Sequence, residues 1–160
     1  MRLDRAVHAA GLAASREKAP ALILAGRIRV DGQLRDKPGA TVAADATITL
    51  TTSERPYVSR GGEKLAGVLA PLAVDPGGLA CLDVGSSTGG FTDVLLRAGA
   101  ARVTAVDVGR GLIDASLRRD PRVELVEGVN ARYLLPEQVS PPYDLITVDV
   151  SFISLTLVLP

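Results

Sequence analysis

The sequence predicts an α/β chain in two parts: a small α+β unit, then a mostly parallel sheet flanked by helices. Three observations predict it. Residues 1–52 hold short helical patterns, a hairpin and one further strand. From residue 63 onward, apolar strand patterns alternate with helical ones. Between them, TTSERP (Thr51–Pro56) is polar and ends in proline, as a linker does. The units are therefore placed at residues 1–52 and 63–160, with 53–62 as the connection.

In the first unit, LDRAVHAA (Leu3–Ala10) reads as a helix ending before Gly11. Ser15 is a candidate N-cap for a second helix, Arg16 to Ala25, with Ala19, Leu22 and Ile23 on its apolar face. Gly26 suits the left-handed position after its end. Pro20, fifth in that helix, would remove a backbone donor and crowd the Arg16 carbonyl, so an irregular first turn is expected. RIRVDGQLRD reads as a β-hairpin. A three-residue turn closed by a bulge pairs Val30 with Leu34 and gathers Ile28, Val30 and Leu34 on one face. That register is preferred to a two-residue Asp31-Gly32 turn, which mixes faces. Ala46–Leu50 is the remaining strand.

The second unit runs in order: helix Glu63–Leu72, strand CLDVG, helix Phe91–Ala98, strand RVTAVDV, helix Gly111–Leu117. Then come strand RVELVE, a helical turn at Ala131–Leu135, and strand YDLITVDVSF. Runs of Val, Leu and Ile imply a parallel sheet covered on both faces. In such sheets ligands bind at the carboxyl ends of the strands.

The formal net charge of zero conceals an asymmetry. Residues 1–64 hold eleven Lys or Arg against seven Asp or Glu, a net of +4, and the remainder carries −4. A basic front half points to a polyanionic partner, nucleic acid first. No window of ~18 uncharged apolar residues suggests a membrane span. The charged N-terminus does not read as a secretory signal. Cys81 is the only cysteine, so no internal disulfide forms, in keeping with a reducing, cytoplasmic setting. No Cys/His cluster offers metal ligands, and His8, the only histidine, reads as structural.

The stretch Gly85-Ser86-Ser87-Thr88-Gly89-Gly90 carries the chemistry. A P-loop needs Gly-Lys-Ser/Thr, but Phe91 follows here. A dinucleotide loop needs an early second glycine, which is missing. Asp83, just before the loop, would repel a pyrophosphate and attract a cationic ligand. S-adenosylmethionine carries an ammonium and a sulfonium. Asp107, at the tip of the next strand, stands where a ribose diol could donate to it. The loop therefore reads as one that holds S-adenosylmethionine.

RLDRAVHAAGLAASREKAPALILAGRIRVDGQ resembles an S4 RNA-binding domain. PYVSRGGEKL, LDVGSSTGGFTD, AVDVG, NARYL and DVSFISL together resemble the TlyA family, bacterial ribosomal RNA 2′-O-methyltransferases also named haemolysins. The resemblance covers essentially the whole chain. It implies an S4 domain, then the N-terminal part of a Rossmann-like methyltransferase domain of FtsJ type, acting on ribosomal RNA at cytidine ribose. It implies that Lys64 and Asp149 match two members of a Lys-Asp-Lys-Glu catalytic set. Gly85, Ser86, Ser87, Gly89 and Thr92 would line the methionine end of the cofactor, Asp107 and Val108 would hold the ribose, and Asn130 would lie near the adenine. Arg5, Arg16, Lys18, Arg27, Arg29 and Arg60 would contact RNA. No metal is implied.

Family members continue past VDVSFISLTLVLP, where the second lysine and the glutamate of the set would lie. No residue here matches them, so the sequence reads as a fragment whose Asp144–Val150 strand, interior in the family, has an open edge. Poor solubility and absent methyl transfer are expected of it alone. The alternative reading is a catalytically silent S4-containing RNA-binding module. A pseudouridine synthase would need a Gly-Arg-Leu-Asp context, and a lytic protein an amphipathic segment; neither is present.

Overall fold

A computed structural model describes residues 1–51, 56–151 and 154–158. In the first unit, α1 (Leu3–Ala9) and α2 (Ala19–Leu24) cover a sheet of β1 (Ile28–Val30), β2 (Gln33–Arg35) and β3 (Ile48–Leu50), antiparallel and ordered β2-β1-β3. Leu3, Val7, Ile23 and Ile28 are fully buried between the layers. Each such side chain contributes about 1.5–3 kcal/mol of transfer free energy. Helix α2 ends as expected: Gly26 is left-handed (φ 67), and the Gly26 and Arg27 amides close onto the Ile23 and Leu22 carbonyls at 2.9 and 3.0 Å.

Two local expectations are corrected. Helix α2 begins at Ala19 rather than Arg16, so Ser15 is not its cap. The late start places Pro20 in the first turn, where its missing donor costs nothing. The hairpin uses the two-residue turn: Val30 pairs with Gln33, Arg29 with Leu34 and Ile28 with Arg35. Asp31 (φ 51) and Gly32 (φ 77) are both left-handed, the geometry that matches strand twist in two-residue turns. The Asp31 carboxylate also accepts the Thr47 amide at 2.9 Å. On a three-residue edge strand, turn chemistry outweighs face matching, and Leu34 stays half-exposed.

The second unit opens with α3 (Arg60–Leu69), three residues earlier than the predicted Glu63, so the end of the expected connection is helical. The early start follows from packing. Gly62 lies against Tyr57, and the Val58 amide donates to Asp93 at 3.0 Å, which docks residues 57–59 onto the next helix. Residues 53–55 of the connection lie outside the described residues. There follow β4 (Ala80–Val84), α4 (Gly90–Arg97), β5 (Arg102–Asp107), α5 (Ala115–Arg118), β6 (Val123–Glu127) and β7 (Leu145–Val148). Asp114 caps α5, accepting the Ser116 amide at 2.8 Å, which shortens the predicted Gly111–Leu117 helix. Ala131–Tyr133 forms a single 3₁₀ turn.

The four strands are parallel, in the order β6-β5-β4-β7. The chain steps outward from β4 through β5 to β6, then crosses back to β7 on the other side of β4. That reversal opens a crevice at the carboxyl ends of β4 and β7. Among the described residues β7 pairs with β4 alone, and Ile146 on it is 53% exposed.

Candidate functional site

The loop after β4 is shaped by what glycine lacks. Gly85 is left-handed (φ 84), and a Cβ there would stand 2.5 Å from the Asp149 carbonyl oxygen. Only a glycine lets the ends of β4 and β7 approach this closely. The loop is tied to β5, because the Gly85 and Ser86 amides both donate to the Val106 carbonyl. Gly89, expected to line the cofactor, is tightly packed: a Cβ there would strike Leu117 and Ile113. Its left-handed φ of 94 sets the start of α4 and lets α5 pack closely.

Asp83 and Thr92 lie beneath the loop. Asp83 and Thr92 are both fully buried. The Asp83 carboxylate accepts the Thr92 hydroxyl of α4 at 2.7 Å and the Thr147 hydroxyl of β7 at 3.2 Å. Burial, opposed by these hydroxyls and aided by the Asp107 charge, pushes its pKa up to about 6. The carboxylate fastens β4, α4 and β7 together directly under the crevice.

Above that junction lie two cavities. The larger, about 510 Å³, is lined by Gly85, Ser87, Asp107, Val108 and Asn130, and reaches Asp149. Asp107 accepts the Ser87 amide at 2.8 Å on one oxygen and the Gly109 amide at 2.7 Å on the other. Each oxygen keeps a lone pair for a further donor. Val108 is 70% exposed, an apolar side chain at the mouth. Asn130 accepts the Arg132 amide at 3.0 Å, which leaves its NH₂ group to donate.

The smaller cavity, about 260 Å³, is lined by Ser59, Arg60, Ser86, Phe91 and Asp149. The two cavities share Gly85, Ser87 and Asp149, and Leu24 of α2 borders both. At their meeting point, Lys64 donates to Asp149 Oδ1 at 2.7 Å, with its ammonium 5.9 Å from the Phe91 ring centre. The sequence places these residues 85 positions apart; the packing of α3 on α4 brings them together. Exposed ion pairs of this kind contribute only about 0–1 kcal/mol, so stability does not account for the placement.

The predicted RNA contacts divide. Arg5, Arg16, Lys18 and Arg29 are exposed on the first unit. Arg60 pairs with Asp36 across the two units. Arg27 is half-buried in a cleft between them. Sequence reasoning missed Phe91, Leu24 and Thr147. Thr147 carried a signal, a lone hydroxyl in an apolar strand; Leu24 carried none. Among the described residues no helix is long and apolar enough to cross a membrane, and no His/Cys/Asp/Glu group could hold a metal ion.

Residues 57–160 match the FtsJ-like methyltransferase family and residues 1–48 the S4 domain. The 16S/23S rRNA (cytidine-2′-O)-methyltransferase TlyA of Mycobacterium tuberculosis is 50% identical over 160 residues, which cover 99% of this chain and 60% of that protein. Hemolysin A of Brachyspira hyodysenteriae is 40% identical, covering 100% of this chain and 67% of its own. A hemolysin-named protein of Streptococcus thermophilus superposes with a TM-score of 0.65 at 38% identity, over 99% of this chain and 58% of the other. The chain thus spans about 60% of the length of the M. tuberculosis relative.

Proposed function

Because the chain belongs to the TlyA family, an S4 domain joined to an FtsJ-like methyltransferase domain, we propose that it serves S-adenosylmethionine-dependent 2′-O-methylation of ribosomal RNA in the cytoplasm, at cytidine as in the M. tuberculosis relative. The observation that carries the reading is the Lys64–Asp149 pair at the junction of two cavities.

The donor set suits the cofactor. Asp107 offers two acceptor positions to a ribose diol, Val108 an apolar surface to a base, and the bare Gly85 backbone close approach to a methionine chain. S-adenosylmethionine, when bound, supplies a methyl group on a positively charged sulfur. The smaller cavity takes the acceptor nucleotide, with Phe91 and Arg60 on its wall. Asp149 borders both cavities and orients Lys64. Lys64, held by Asp149 at the seam, is the group placed to receive the hydroxyl proton as the ribose oxygen gains the methyl. Holding donor and acceptor at one seam supplies the orientation.

The test measures cofactor affinity by calorimetry and labelled-methyl incorporation into ribosomal RNA. S-adenosylmethionine binding is expected of the chain itself, and transfer to a ribose hydroxyl of a chain of the relatives' full length. NAD or ATP bound in its place would overturn the reading. RNA binding without transfer would instead mark the chain as an S4-containing binding module.

A further inference from the structure

We infer that the S4 unit forms part of the cofactor site, with Leu24 at the end of α2 closing the larger cavity over bound S-adenosylmethionine; this rests on the cofactor reading above. Leu24 borders that cavity together with Ser87, Asp107 and Asn130, and borders the smaller one together with Ser87 and Phe91. Its neighbours Ala21, Leu22 and Ala25 line a further cleft together with Thr88. The last turn of α2 therefore straddles the Ser87-Thr88 bend of the glycine loop. That bend is pinned from below: Ser87 is left-handed (φ 50), and its amide donates to Asp107 at 2.8 Å.

The core of its own unit does not explain where Leu24 sits. Ile23 is buried with Leu3, Val7 and Ile28, and Leu22 packs against the same cluster. Leu24 is half-buried, yet among the described residues it joins no apolar core. It lies instead at the two cavities of the other unit. An apolar side chain left partly in water gains when a ligand covers it.

The division of labour suits the cofactor. The methyltransferase unit offers the polar partners, Asp107 and Asn130, and α2 brings an uncharged turn, with Ala, Pro, Leu and Ile alone from Ala19 to Leu24. The Arg60–Asp36 ion pair that also joins the units is exposed, so it holds them only weakly. Bound cofactor then adds to that hold, because it touches both sides at Leu24. Loss of the cap weakens binding without abolishing it, since the polar partners remain.

The experiment titrates the full chain with S-adenosylmethionine by calorimetry. Leu24→Ala is expected to weaken binding roughly 10-fold. Leu24→Met, which keeps the volume, stays within about three-fold of the parent. The urea midpoint of Leu24→Ala stays near the parent value, which a side chain that only packs the S4 core does not predict. Coupling is reciprocal, so the cofactor must oppose opening of the α2 end by the same factor. Hydrogen exchange at the Gly26 and Arg27 amides, bonded to the Ile23 and Leu22 carbonyls, is therefore expected to slow about 10-fold in the parent chain at saturating S-adenosylmethionine. Amides of the β1–β2 hairpin, in the same unit but bordering neither cavity, keep their rates. If Leu24→Ala does not fold, exchange in the parent chain carries the test alone. Parent-like affinity of folded Leu24→Ala, or unchanged exchange at the α2 end, overturns the inference and leaves the cofactor reading standing. Failure of the parent chain to bind S-adenosylmethionine overturns both.

Discussion

Both units bury an apolar core, but they differ in the polar side chains they enclose. Among the described residues, the S4 unit packs Leu3, Val7, Ile23, Ile28 and Val42 and encloses one charged residue, Asp4, at its periphery. There Arg2 holds the Asp4 carboxyl below its ordinary pKa. The methyltransferase unit encloses Asp83, Asp93, Thr88, Thr92, Thr104 and Thr147. The difference teaches how each works. The first unit displays its polar chemistry outward, where a polyanion meets it. The second turns polar groups inward to fix a backbone around a crevice, and leaves only a few side chains facing the reactants.

The sharpest way to break this contrast is Lys64→Ala. It removes one of the few outward groups of the second unit, and methyl transfer by a chain of the relatives' full length is expected to fall about 10²–10⁴-fold. Cofactor affinity by calorimetry stays within about two-fold, since Lys64 does not border the larger cavity. Retained transfer would move the chemistry away from the seam. Next in size, Ile23→Ala should cost about 2–5 kcal/mol in the S4 core. Urea titration should show RNA affinity lost before cofactor affinity; simultaneous loss would mean that the units unfold as one.

Asp83→Asn tests the inward polar network. Folding raises the Asp83 pKa from 3.8 to about 6, so the folded chain binds a proton there between those values. The associated stability is full below about pH 4 and lost as pH rises through 6, a change of up to about 3 kcal/mol. The variant should therefore gain on the parent between pH 4 and 8, as read from urea midpoints. A difference independent of pH would contradict the buried ionisation. Asp107→Ala is expected to weaken S-adenosylmethionine binding by roughly 10–100-fold; unchanged calorimetric affinity would remove Asp107 from the site. Smallest is Gly32→Ala, which strains the left-handed hairpin turn by about 1 kcal/mol. It should alter only the thermal midpoint, and any effect on cofactor binding would link the two units.

Alternating strands and helices made the parallel sheet readable, because a strand buried on both faces must be apolar along its length. Asp107 and the Gly85 loop were readable because strand tips carry ligands in such sheets. The direction in which Asp83, Thr92 and Gly89 face was not. Position before or within a loop does not distinguish a carboxylate aimed at a ligand from one aimed at Thr92 and Thr147. The hairpin register failed for a related reason: face matching was weighed above the left-handed preference of Asp31-Gly32. The meeting of Lys64 with Asp149 depends on α3 packing against α4, which Gly90 permits: a Cβ there would stand 2.7 Å from the Gly62 nitrogen.

Gly85 has a wider consequence. The spacing between two neighbouring strand ends is held by the absence of one carbon atom, with the Asp149 carbonyl filling the space a methyl would need. Substitution there acts as a wedge rather than an obstruction: even alanine spreads the floor on which both reactants rest. In a deep mutational survey, position 85 will therefore tolerate nothing larger than hydrogen.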